Sequence, residues 1–155
     1  MTMIKITFAT AEDLPILADL LSLLFTLEQD FVPQRESQLC GLRLILDDER
    51  IGKLFVLRVA DKIVGMANAL ITISTAEGGR VLWLEDVIVV PDYRGQGLGR
   101  KLVEHILAWA RDQGMLRVTL LTDHDNLAAQ HLYQTLGFQP SQMQVMRHAL
   151  SLNIA

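Results

Sequence analysis

The sequence predicts an α/β fold in which a mixed sheet is covered by helices, and three observations carry that expectation. Strand-like and helix-like periodicities follow one another in the order β-α-α-β-β-β-α-β-α-β-β. The stretch Val81–Val90 is almost wholly apolar, as a strand buried on both faces requires. A turn with glycines at positions 95, 97 and 99 then joins that strand to an amphipathic helix, whose stripe is Leu98, Leu102, Ile106 and Trp109.

Taken in order, Ile4–Ala9 alternates apolar and polar residues and reads as a first strand. Thr10-Ala-Glu-Asp resembles a helix N-cap with an acidic third position, and the stripe Leu14, Leu17, Leu21, Leu24 and Phe25 makes a first helix to Leu27. An acidic loop, Glu28 to Pro33, precedes a second helix over Glu36–Asp48, in which Cys40 reads as a small buried hydrophobe. Leu54–Ala60 and Ile63–Ile73 are strands joined by a turn at Asp61-Lys62, and a turn over Ala76 to Gly79 leads into Val81–Val90. The helix after the glycine turn runs to Asp112 and stops at Gln113-Gly114. Val118–Leu121 is a strand, and Asp123-His-Asp-Asn126 caps a fourth helix. Leu136-Gly137-Phe138 ends that helix and opens a strand, and Gln144–Leu150 supplies the last one.

Composition narrows the function classes. The 155 residues match a single domain spanning 1–155, with enough chain for one core. The formal charge is −4 and no basic face stands out, so nucleic acid is not an expected partner. No apolar run reaches membrane-span length, and Met-Thr-Met-Ile-Lys leads straight into a strand pattern, so neither a membrane nor a leader is expected. One cysteine cannot form an internal disulfide and no Cys/His cluster suggests a metal, which together favour a reducing, cytoplasmic setting.

The glycine turn is the first candidate site. Glycine adopts left-handed backbone angles and lets a ligand approach closely. The first amides of a helix lack intrahelical partners and sit at the positive end of its dipole. Strand, glycine turn and helix start therefore make an anion site suited to a phosphate. The spacing is neither that of a P-loop nor that of a dinucleotide fingerprint. A glycine-rich turn with no ligand is the alternative at this point.

Arg94-Gly95-Gln96-Gly97-Leu98-Gly99 matches an Arg/Gln-x-x-Gly-x-Gly/Ala signature. Asn126, Ala129, Tyr133 and Gly137-Phe138 match an Asn-x-x-Ala-x-x-x-Tyr-x-x-x-Gly-Phe signature. On these motifs the sequence resembles the GNAT superfamily of N-acetyltransferases, and the element order extends the likeness over nearly the whole chain. The resemblance implies the acyl-CoA N-acyltransferase fold, a mixed and mostly antiparallel central sheet flanked by helices, with acetyl-CoA as cosubstrate. It also implies that Arg94, Gly95, Gln96, Gly97, Leu98, Gly99 and Arg100 hold the pyrophosphate. The backbone of Val87, Ile88 and Val89 would pair with the pantetheine arm, amides of that strand facing the thioester oxygen. The Asn126 side chain would contact the same arm.

Three further residues would carry the chemistry. Tyr133 follows Asn126 by two helical turns and shares its face, and the family motif makes its phenol a general acid for the departing thiolate. The alternative is a half-buried tyrosine that packs helix on sheet. Glu85 interrupts the apolar strand, where a carboxylate costs free energy unless paired or solvated. Strand alternation sets Asp86 on the opposite face, so one of the two borders a cavity. A carboxylate there has a raised pKa and can take a proton from an ammonium. The run Leu84-Glu85-Asp86-Val87 with Asp92-Tyr93-Arg94-Gly95 resembles the spermidine/spermine acetyltransferases, in which the glutamate is the base. A strand-end salt bridge is the alternative.

The resulting expectation is direct transfer of acetyl to a primary amine of a small molecule. Cys40 lies far from both motifs, so no covalent intermediate on the protein is expected. A non-catalytic acyl-CoA sensor and a peptide acetyltransferase remain alternatives. Glu28, Asp30 and Asp86 are candidate substrate residues, carboxylates that would draw in a polyamine-like cation, against the alternative of a solvated acidic loop. Dimerisation is common in the family, which leaves a homodimer open.

Overall fold

The computed structural model describes residues 2–28 and 31–150. Its centre is one sheet of five strands in chain order: β1 Ile4–Phe8, β2 Gly52–Val59, β3 Lys62–Ser74, β4 Gly79–Val89 and β5 Val118–Leu120. Neighbours pair antiparallel except for β4 and β5, which run parallel. The sheet is therefore mixed and mostly antiparallel. A two-residue turn joins β2 to β3, with Ala60 and Asp61 at φ 50 and 68; two positive angles match the twist of the strands they connect.

Strand alternation sorts the apolar residues onto two faces. Leu54, Val56, Met66 and Ile88 pack under α1 (Leu14–Leu27) and α2 (Arg35–Leu46). Phe55, Ala67, Leu82 and Leu84 pack against Leu102, Val103 and Ile106 of α3 (Leu98–Asp112). A short helix, α4 (Leu127–Thr135), lies beyond β5 in the chain, with the Asn126 side chain accepting the Ala129 amide at 3.1 Å as its cap.

Buried polar side chains hold α1 and α2 in register with the sheet. At the entry to α1 the Thr10 amide donates to the Asp13 carboxylate at 2.9 Å, and Arg58 of β2 donates to the same oxygen at 2.8 Å. Burial raises the Asp13 pKa, but the Thr10 amide and the Arg58 guanidinium outweigh it and hold the group below the ordinary value. Between the helices, Gln38 donates to the Ala18 carbonyl and the Ser22 hydroxyl, each at 2.9 Å, and its own carbonyl accepts the Gln34 amide at 2.7 Å.

Three expectations are corrected. Neither the strand opening at Phe138 nor the one over Gln144–Leu150 forms among the described residues; the sheet ends at β5, three residues long, and an alternating segment with no neighbouring strand has no ladder to join. Cys40 is exposed, because α2 buries Gln38 and Leu42, and a residue between them points the other way. Asp86 does not lie on the face opposite Glu85, for the reason given below. Among the described residues no helix is long and apolar enough to cross a membrane.

Asp13 supplies a stability prediction. Its pKa is lower in the folded chain than in the unfolded one. The stabilisation is therefore present above the unfolded value near 4 and is lost as pH falls through the folded value. Asp13→Asn should cost about 1–3 kcal/mol at pH 7 and flatten the loss of stability between pH 5 and 3, read by denaturant titration at each pH.

Candidate active site

The site begins at a register shift in β4. Met66 pairs with Ile88, but Asn68 pairs with Glu85, so the single residue Ala67 faces both Asp86 and Val87. The extra residue is Asp86, held at φ 56, a left-handed angle that aspartate tolerates better than most residues. The bulge reverses the alternation. Before it, Leu82 and Leu84 face α3; after it, Ile88 faces α1 and α2 while Val87 and Val89 face the α3 side. Glu85 and Asp86 consequently border one and the same cavity.

The contact with β5 ends beside the bulge, at the last residue of β5. The parallel ladder stops at Leu84↔Leu120, and β4 continues to Val89 with no strand paired on that side among the described residues. The Val90 amide donates to the Val64 carbonyl of β3 at 2.8 Å. By alternation Ile88 also addresses β3, whereas the backbone groups of Val87 and Val89 point to the open edge. The Val89 carbonyl there accepts Arg94 Nε at 2.8 Å, which ties the glycine turn to the strand end and uses the Arg94 side chain.

The turn itself is open. Gly95 and Gly97 both have φ 76, and a Cβ on either would meet no protein atom within 4 Å. Gly97 caps α3, and the first bond of the helix runs from the Lys101 amide to the Gly97 carbonyl at 3.1 Å, leaving the Leu98, Gly99 and Arg100 amides ahead of it. An open hollow beside them is lined by Arg100 and Lys101 among others. Glu104 lines the same hollow and pairs with Arg100 Nε at 3.2 Å, so the amides, the helix dipole and Lys101 are what suit a diphosphate. Arg100 donates to the Thr135 hydroxyl at 2.8 Å, and Gly99 lies against Leu132 and Val89, so α4 is fastened beside the open edge.

Tyr133 of α4 packs among the α3-side residues with Val87, Leu120 and Phe138, its ring 5.8 Å from that of Phe138. Burial pushes its phenol up to about 12. The hydroxyl is thus protonated at any working pH. Asn126 sits two turns earlier on an exposed helix end, its carboxamide oxygen already engaged as the cap.

The carboxylates lie on the other side of β4. A cavity of ≈ 290 Å³ between the sheet and the pair α1, α2 is lined by Glu85, Asp86 and Asn68 on the sheet side. The Trp83 indole donates to Glu85 at 2.9 Å, and the Asn68 amide donates to Asp86 at 2.6 Å. Burial, reinforced by the Glu85 charge, raises the Asp86 pKa to about 6 against the opposing pull of Asn68. The Asn68 carbonyl oxygen is buried with no partner. Sequence reasoning passed over Asn68, although an amide inside the apolar run Val64–Ile71 is the same kind of signal that singled out Glu85. Glu28 is half-buried at the end of α1 and does not line this cavity; Asp30 lies outside the described residues. His124 is exposed.

The model of the acetyltransferase (GNAT) family matches residues 17–138. A glucosamine 6-phosphate N-acetyltransferase of Trypanosoma brucei brucei is 33% identical over 96 residues, 61% of this chain and 63% of that protein. A thialysine N-epsilon-acetyltransferase of Bos taurus is 41% identical over 61 residues, 39% of this chain and 36% of that one. The chain thus spans less than two thirds of either relative. Among solved structures, a possible acetyltransferase from Clostridium difficile 630 superposes with a TM-score of 0.85 at 24% identity, covering 96% of this chain and 98% of that one, which shows a shared fold. With the family model spanning most of its length, the chain belongs to the acetyltransferase (GNAT) family.

Proposed function

We propose that the protein is an N-acetyltransferase that uses acetyl-CoA and acts directly on the primary amine of a small molecule. The observation that carries this reading is the Asp86 bulge. It lies where β4 runs on past the end of β5 toward the glycine turn, and it gathers two carboxylates in a cavity on the opposite face. An edge with free amides next to a phosphate cradle suits an extended, phosphorylated arm, and a half-open cavity of ≈ 290 Å³ has room for a small acceptor.

Acetyl-CoA, when bound, supplies the activated acetyl thioester. The Leu98, Gly99 and Arg100 amides, with Gly95, Gln96 and Gly97 leaving room for them, would hold its pyrophosphate. Val87 and Val89 would engage the arm through their backbone. Ile88 contributes by pairing with Met66 and keeping the edge straight. Asn126 retains one amide group for the arm beyond its capping bond.

Glu85 and Asp86 act as a pair on the acceptor side. The amine arrives as an ammonium and attacks only after losing a proton. Glu85, held by the Trp83 indole, sets a second carboxylate beside Asp86. Asp86, poised near 6, is ionised at neutral pH yet basic enough to accept the proton, directly or through water. Tyr133 stands on the leaving-group side of the strand with its proton in place. The relatives named above, with sugar and amino-acid amines in their names, support a small-molecule acceptor.

The experiment that tests this reading is thiol release from acetyl-CoA over a panel of amines; release with none of them would contradict it. Gly97→Val should weaken acetyl-CoA binding tenfold or more by calorimetry, since φ 76 strains any side chain there and its Cβ would project into the open space beside the turn. Tyr133→Phe should preserve cofactor affinity and slow turnover by roughly 10²-fold, the scale of a lost general acid. The pH profile separates the carboxylates. Wild-type kcat/KM should climb through a break near pH 6 as Asp86 ionises, Asp86→Asn should lack the break, and Glu85→Gln should move it to lower pH because a charge that raises the Asp86 pKa is gone.

A further inference from the structure

The helix side of the carboxylate cavity differs in character from its sheet side. Glu85, Asp86 and Asn68 make a wall of oxygen acceptors, and the Asn68 carbonyl oxygen, on a residue only 4% exposed, has no donor anywhere in the protein's described residues. A buried acceptor without a partner costs free energy that a bound donor returns. The opposite wall comes from α1 and α2: Leu21, Phe25, Gly41, Leu42 and Ile45 make it apolar, with the Ser37 hydroxyl at its exposed end. Gln38 also lines it, but both of its amide protons are committed to Ala18 and Ser22. No lysine or arginine is among the lining residues.

Gly41 stands out on that wall. It lies in the middle of α2, where glycine is a poor helix former compared with alanine. No turn or positive φ calls for it, and a Cβ at this position would meet no atom within 4 Å. The missing side chain therefore leaves open space on the cavity side of the helix instead of relieving a clash. The cavity, at ≈ 290 Å³, is at the small end of the range for ligand pockets, so one added side chain removes a substantial part of it.

Resting on the acetyl-transfer reading of the same site, we propose that this cavity holds the acceptor by both ends of its chemistry. The ammonium sits against Glu85, Asp86 and the Asn68 carbonyl oxygen, and a compact apolar substituent fills the hollow that Gly41 leaves. The acceptor class is then a primary alkyl- or arylalkylamine, and Gly41 is the residue that sets the size admitted. A polyamine would place a second charge against Leu21, Phe25 and Ile45, and a sugar phosphate would find no cation there.

The test is calorimetry of amines on the protein saturated with coenzyme A, at physiological salt, with phenethylamine, ethylamine, spermidine and glucosamine 6-phosphate as probes. Phenethylamine should bind at least tenfold more tightly than the other three. Gly41→Leu should weaken phenethylamine tenfold or more and ethylamine by less than threefold, with coenzyme A affinity unaltered. Gly41→Ala, which should raise Tm through its helix propensity, should weaken phenethylamine by a smaller factor. The proposal is overturned if spermidine or the sugar phosphate binds as tightly as phenethylamine, or if neither variant alters phenethylamine binding. Amines that bind in this pattern but release no thiol from acetyl-CoA would support the pocket and contradict the transfer reading, so the two failures are distinct.

Discussion

One backbone angle governs the site. Asp86 is held at φ 56 in the middle of an otherwise regular strand. A non-glycine residue in that region costs on the order of 1–3 kcal/mol and persists only where the surroundings enforce it. Here the enforcement comes from both sides: β3 pairs with β4 before and after the bulge, and Asn68 grips the Asp86 carboxylate. The same angle has a consequence that a regular strand could not supply. It shifts the side-chain phase so that neighbouring carboxylates share a face, at the point where β4 runs on past the end of β5.

The electrostatics follow from that geometry. Adjacent carboxylates on one face repel, and withdrawing them from water adds to the cost. The strand accommodates them with a neutral donor each, the Trp83 indole for Glu85 and the Asn68 amide for Asp86. Neutral partners leave the negative charge unneutralised and available to a cation, where an arginine would have cancelled it. On the far side of the strand Tyr133 is half-buried and kept protonated. A carboxylate pair and a protonated phenol are set on opposite faces of β4, past the point where its ladder to β5 ends.

How much of this was legible in the sequence depends on the range of the interaction concerned. The glycine turn, the cap at Asn126 and the apolar β4 are local features, and periodicity and turn chemistry placed them well. The family signatures carried the likeness from those segments to the whole fold. The bulge was hidden because alternation assumes an unbroken pleat; nothing local to Leu84-Glu85-Asp86-Val87 says that Ala67 will face two residues. Asn68 was legible as a polar residue in an apolar run, but its place with Gly41 on one cavity was hidden, since that cavity is assembled from α1, α2, β3 and β4. The strands expected at Phe138 and over Gln144–Leu150 failed because alternation marks a face and cannot supply a pairing partner.

Amide hydrogen exchange along β4, with and without coenzyme A, tests the central claim most directly. If the edge of β4 past the end of β5 takes the ligand's arm, the Val87 and Val89 amides exchange readily in the free protein and become protected on adding coenzyme A. The Ile88 amide, which addresses β3, is protected in both states. Unchanged exchange at Val87 and Val89, with protection appearing elsewhere, would contradict the account.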